Sequence, residues 1–342
     1  MRSTSMSIGA VTALAASLLA AGTAAAATQP QPVELPHLTS NPADGGGVRA
    51  VNDAGEAGGT ARTADGAVHA VRWDASGRIT DLGTAYGSAW SSVWGMNNAG
   101  VAVGAHDGGG HQNPTRWAPD GTPSDLPLPA GAVGGQALAV NNSGVIVGWT
   151  KVGADDHALR WDPNGTVTDL TAAAGATRAD AFGINDAGVI VGSAEDGKAE
   201  FGDAVRWNLD GTVTSLGTLQ GNGKGYATPS GINAAGTVVG QSNGADGHSH
   251  AVAWTADGKI TQLAALGDPH ADSRATAVND AGVIVGTGQA ADFYQVGARW
   301  NTDGTVTDLR FLPGRAGSAA YDVNSAGLIG GDCNAVPTKW IG

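Results

Sequence analysis

One motif, written seven times, constrains this chain more than any other feature. An apolar residue is followed by Asn, two small or polar residues and Gly, with the asparagines at Asn52, Asn97, Asn141, Asn185, Asn233, Asn279 and Asn324. Their spacings are 45, 44, 44, 48, 46 and 45 residues. A period of that length is one four-stranded β-propeller blade, and seven copies predict an all-β, seven-bladed propeller.

The unit divides into four short strands. Asn and Gly suit a tight hairpin with left-handed backbone, and a β-branched run follows, as in Val145-Ile146-Val147 and Val189-Ile190-Val191. These runs are apolar on both faces, so both sides of the sheet must be covered, as stacking between neighbouring blades provides. A glycine ends most of the runs (Gly104, Gly148, Gly192, Gly240, Gly286) and marks a place where another backbone passes close by. The third strand carries a tryptophan in every unit: Trp73, Trp117, Trp161, Trp207, Trp254, Trp300 and Trp340. Five of them follow Arg and one follows Lys, which alternates apolar and cationic side chains with strand parity. Rings of that size, one per unit, are expected between blades.

The seventh unit stops after its tryptophan, at Trp340-Ile341-Gly342, without a fourth strand. Residues 32–38, with Leu35 and Leu38, repeat the Leu-x-x-Leu ending seen at Leu216 and Leu219, Leu263 and Leu266, and Leu309 and Leu312. The N-terminal strand is therefore expected to complete the last blade, closing a ring and removing exposed edges. A β-solenoid is the structural alternative, but an open array has no reason to split one unit between its termini.

Residues 1–27 read as a secretory signal peptide: Arg2, an apolar run at 8–21 too short to span a bilayer, and Ala25-Ala26-Ala27 as a small-x-small cleavage pattern. The remainder, 28–342, reads as a single propeller domain, released outside the cell and without membrane insertion. With 18 basic against 31 acidic residues and a net charge of −13, the chain lacks the basic balance that nucleic acid demands. Cys333 is the sole cysteine and has no internal disulfide partner; it is expected to be either buried or a stray thiol.

The segments Asp156-His157-Ala158-Leu159-Arg160-Trp161, 183–192 (Gly-Ile-Asn-Asp-Ala-Gly-Val-Ile-Val-Gly) and Leu216-Gly217-Thr218-Leu219 resemble the repeat of the extracellular HAF family. The resemblance runs over nearly all of residues 33–340. Its His-Ala pair stands at His69-Ala70, His157-Ala158 and His250-Ala251, and Val or Leu replaces its phenylalanine. The resemblance implies a secreted repeat protein and brings no catalytic residues.

Function has to sit where the units differ. Both tight turns of each unit share one rim, so the longer connections, such as 193–203 and 217–229, share the other, and variable loops on a rigid scaffold are where binding resides. Trp90, in an inter-blade connection, and Trp149, at the end of a second strand, are candidate ligand-binding faces. Trp94 aligns with Leu138, Phe182 and Tyr321 and is expected to pack between blades. His248, His270 and Asp272 are further candidates, whereas His250 shares a repeat position with His69, Asn113 and Asp203 and reads as structural. No metal site is expected, because the Asp-Gly turns lack a calcium loop's alternating oxygen ligands, and no cofactor signature is present. The loop acids Glu195, Glu200, Asp246, Asp268 and Asp272 offer no pair singled out by spacing for hydrolysis. The leading expectation is a monomeric, non-enzymatic binding scaffold for an extracellular protein or cell-wall glycan. A lyase or glycoside hydrolase using loop histidines and carboxylates is the runner-up.

Overall fold

The structure, a computed structural model, describes residues 29–41, 44–84, 87–196, 203–221, 224–291 and 294–341. The segment expected to be a signal peptide, 1–27, and Glu200 lie outside the described residues. Seven four-stranded antiparallel sheets are formed by residues 46–83, 91–125, 132–169, 178–215, 227–262, 273–308 and 319–341, the last joined by Gln31–Glu34. These are blades 1 to 7. Each blade's first strand touches the first strands of its two neighbours, and the seven surround a central axis as a β-propeller. No helix among the described residues is long and apolar enough to cross a membrane.

The ring closes as the split unit requires. Gln31–Glu34 runs antiparallel to Pro337–Ile341, pairing Pro32 with Trp340 and Val33 with Lys339. The strand starts one residue before the segment read from the sequence and ends at Glu34. Leu35 and Pro36 then turn onto blade 1, where Leu35 is buried against Trp73 and the Pro36 carbonyl accepts the Trp73 indole N–H at 2.8 Å.

That contact is a repeated joint. Trp161, Trp207, Trp254, Trp300 and Trp340 likewise donate to Pro127, Leu170, Gly217, Ala264 and Arg310 carbonyls, each just past the fourth strand of the preceding blade. All seven repeat tryptophans are buried. A ring of about 200 Å² contributes roughly 5 kcal/mol of gross burial, an upper bound against an extended chain. The second-strand runs are covered on both sides: Ile146 packs with Trp161, while Val147 packs with Trp207 of the next blade. Cys333 is buried in the core between blades 6 and 7, and burial pushes its thiol up.

Two features of the unit act on the axis. Every first strand carries a β-bulge three residues before its asparagine, at Arg49, Trp94, Leu138, Phe182, Ser230, Thr276 and Tyr321. Facing each bulge is a second-strand glycine. A Cβ at Gly104, Gly148, Gly192 or Gly286 would lie within 2.0 Å of the carbonyl oxygen of the residue two before the bulge, so only glycine lets the strands pair there. The expected close approach of backbones is thus a glycine–bulge pair.

The asparagine itself does not adopt the left-handed backbone expected of it; the glycine three residues later does, as at Gly55 and Gly144 with φ of 81° and 83°. Each buried Asn side chain instead donates to the backbone carbonyl of the equivalent Asn one blade on, from Asn52 to Asn97 and so around to Asn324, which donates to Asn52. The seven bonds span 2.9–3.3 Å and form a closed belt. Each Oδ1 meanwhile accepts a backbone N–H four residues on, for example Val145 N at 2.9 Å. Both ends of the amide are used, which explains why no other residue type fills the position.

Candidate ligand-binding channel

Each first strand enters from the long-connection rim and ends at its asparagine, so the axial channel has two unlike ends. At the asparagine end the cavity is about 170 Å³, lined by Asn97, Asn141, Asn185 and Asn233 of the belt and by Asn98, Asn142, Asp186 and Asp280. A waist of about 250 Å³ follows, and the mouth on the long-connection rim widens to about 510 Å³. A volume of that order accommodates a small ligand.

The bulge residues line both waist and mouth. A bulge re-aims its side chain, and here it turns seven positions onto the axis. Trp94 is one of them. The expectation that it packs between blades is therefore corrected: Val93 and Met96 enter the inter-blade core, while Trp94 lines the mouth. Its indole nitrogen is buried without a partner among the described residues, as is that of the repeat tryptophan Trp117.

The mouth is chemically lopsided. Tyr321, Arg49, Trp94, Leu138 and Phe182 form one arc in blades 7, 1, 2, 3 and 4; Ser230 and Thr276 fill blades 5 and 6. The Arg49 guanidinium carbon lies 4.0 Å from the Tyr321 ring centroid and 5.6 Å from that of Trp94. Such stacking holds a guanidinium flat and keeps its donors in the plane between the rings. Arg274, exposed on the same wall, donates to Ser230 Oγ at 3.2 Å. Thr287 and Gln295 complete the polar arc. No carboxylate lines the mouth among the described residues.

One carboxyl lies deeper. Where blades 1 to 6 carry Ala or Gly next to the bulge, blade 7 carries Asp322 at the waist. Burial raises its carboxyl to about 6, against the backbone N–H groups of Val51 and Val323 that it accepts, each at 2.8 Å. The Val51 bond crosses the seam between the last blade and the first.

The other candidates scatter around the rim. Trp90 is half-buried in the connection from blade 1 to blade 2, where its carbonyl accepts Asp107 N at 2.9 Å and its backbone bridges Val68. Trp149 is half-buried on the second strand of blade 3, opposite Gln136 and Ala158. Neither lines the channel mouth.

His248, His270 and Asp272 do come together, around an acid given less weight in the sequence. Asp246 accepts from His270 Nδ1 and from His250 Nε2, both at 3.0 Å, and from His248 N at 3.1 Å. These bonds hold its carboxyl well below the usual range and raise the His270 imidazole. Asp272 accepts Ser249 N at 2.9 Å and stands 3.5 Å from His248 Nδ1. The cluster ties the loop inside blade 5 to the connection entering blade 6. His250 is buried, with the structural hydrogen bond expected of it; His69–Asp81 and His157–Asp169 pair similarly across the third and fourth strands of blades 1 and 3. No group of three or more His, Cys, Asp or Glu is placed to hold a metal ion among the described residues.

No protein-family model and no curated protein sequence matches the chain. Solved structures do match in shape. A streptogramin B lyase is 16% identical with a TM-score of 0.57, over 92% of this chain and 98% of that one. Virginiamycin B lyase from Staphylococcus aureus with quinupristin is 14% identical with a TM-score of 0.53, over 91% and 99%. TolB from Acinetobacter baumannii is 12% identical with a TM-score of 0.52, over 73% and 62%. At such identities what is shared is the fold, and this chain is a seven-bladed β-propeller repeat protein.

Proposed function

We propose that this propeller is a secreted, non-enzymatic binding module that acts through its long-connection rim on an extracellular protein or a cell-wall glycan. One observation carries the reading: seven units that agree on glycine, asparagine and tryptophan stop agreeing at the bulge, where the lining runs from Arg to Trp, Leu, Phe, Ser, Thr and Tyr. Packing alone would have repeated one residue there. The resemblance to the extracellular HAF repeat fits this reading, and the paired His69 and His157 give its His-Ala motif a structural role.

An enzyme of the lyase or glycoside hydrolase type would draw on the exposed His270 beside Asp246. Neither residue of that pair lines the mouth. The test is retention of the purified chain on arrays of cell-wall glycans and extracellular proteins. Ser230→Trp, which fills the mouth, is expected to abolish retention, and His270→Ala to leave it intact. Turnover of a retained glycan that disappears in His270→Ala, or retention indifferent to Ser230→Trp, would overturn the proposal.

A further inference from the structure

We infer that the channel mouth is a receptor for an acidic sugar, a ring bearing a carboxylate, presented at the end or on a branch of an extracellular glycan. This deepens the binding reading above and rests on it.

The charge of the ligand follows from contrast. In a chain of net charge −13, the two formally charged groups lining the mouth among the described residues are Arg49 and Arg274. The acids on the surrounding loops and strand ends are themselves paired, Asp156 and Glu195 with Arg178 and Asp246 with His250 and His270. A cleft whose charged lining is cationic focuses a small anion toward the axis. Nucleic acid, which needs a broad basic surface, is excluded by the same pattern.

The carboxylate follows from the donor. A guanidinium stacked between Tyr321 and Trp94 offers parallel N–H groups in one plane, matching the two oxygens of a carboxylate. Arg274 supplies a second cation from blade 6, anchored on Ser230 rather than on an acid. The ring follows from the walls. Phe182 and Trp94 give apolar faces on one arc, while Ser230, Thr276, Thr287 and Gln295 give neutral hydrogen-bonding groups on the other. Thr276 Oγ1 already donates within the fold, to the Ala320 carbonyl at 2.9 Å, so it meets a ligand as an acceptor of hydroxyl protons. A saccharide has this division, with an apolar C–H face and a hydroxyl edge. Opening toward the long-connection rim leaves the rest of a polymer outside.

Calorimetric titration with a glucuronate-containing tetrasaccharide, its methyl ester, its neutral glucose counterpart and a sulfated neutral tetrasaccharide tests this. The free acid is expected to bind at least tenfold more tightly than the ester and the neutral sugar. The sulfated sugar, whose tetrahedral anion the guanidinium fork can also grip through two oxygens, should bind above the ester and the neutral sugar but no more tightly than the acid. Arg49→Lys, which keeps the charge and loses the plane, should lose about tenfold for the acid alone, and the exposed Arg274→Ala a similar amount, both with unchanged melting. Equal binding of acid, ester and neutral sugar would overturn the acidic specificity while sparing glycan binding. Sulfate binding above carboxylate would overturn the assignment of the anion. Failure of all four sugars, with retention only of a protein ligand, would overturn the glycan and leave the binding module standing.

Discussion

The two ends of the channel are made by the same seven strands, a few residues apart, and they differ in kind. At the narrow end each blade contributes the same amide to the same belt. At the wide end each contributes a different side chain, on a bulge supported in every blade by the same glycine. The frame is repeated because each blade must fit the next in the same way, and the mouth varies because the contacts made there, such as Arg49 on Tyr321 or Thr276 on the Ala320 carbonyl, are not repeated from blade to blade. Regularity marks the parts that hold the ring together; its breakdown marks the surface left free to vary.

Breaking the repeated frame should cost far more than altering the mouth. The largest effect is expected from Gly148→Ala, whose Cβ would sit 1.9 Å from the Gln136 carbonyl oxygen. Overpacking against backbone costs about 3 kcal/mol or more, whereas Gly165→Ala, with φ of 88° but open space around it, should cost only about 1 kcal/mol. Urea unfolding of the two variants checks the difference. If they proved equal, the bulge would not depend on its glycine.

Asn141→Ala comes next. It leaves the Val145 N–H buried without a partner and takes from the Asn185 carbonyl one of its two donors, the Gly188 N–H remaining, a loss of about 2 kcal/mol, and by the belt's symmetry Asn233→Ala should match it. A much smaller loss at either position would mean that the belt decorates the ring and does not fasten it.

A smaller effect separates the seam from the rest. Asp322 holds its proton up to about pH 6, above the ordinary value of 3.8. Between those values the folded state binds more protons than the unfolded one, so this group's contribution to stability falls as pH rises through the window and is lost above it. Asp322→Asn keeps an acceptor for Val51 N and removes the titration. Its advantage over the native chain should be on the order of 1 kcal/mol at pH 7 and should shrink toward zero near pH 4. Denaturation midpoints at both pH values measure it, and an advantage independent of pH would refute the assignment.

Much of this was legible before any coordinates. Repeat length and count, the inter-blade tryptophans, the doubly buried second strands, the glycine beside a passing backbone and the closing N-terminal strand all follow from residues recurring in register. The belt was harder to see. Asn before a turn has a sufficient local explanation in turn chemistry, and nothing within one unit says that its amide reaches a carbonyl 44 to 48 residues away. Trp94 was misplaced for a related reason. Alternation along an unbroken strand sends it toward a neighbouring blade, and the bulge that rotates it onto the axis is marked only by the glycine on the partner strand. A signal was nevertheless present: the column holding Arg49, Trp94, Leu138, Phe182, Ser230, Thr276 and Tyr321 carries a different residue in every unit.

What the sequence alone determined is whatever one blade needs from an identical neighbour, because such needs recur and write themselves as a period. Which side chains meet at the axis was decided only by tertiary structure. Arg49 stacks on Tyr321 from 272 residues away, and that contact exists only once the ring has closed. No periodic pattern can encode it, since it depends on which blade comes to lie beside which.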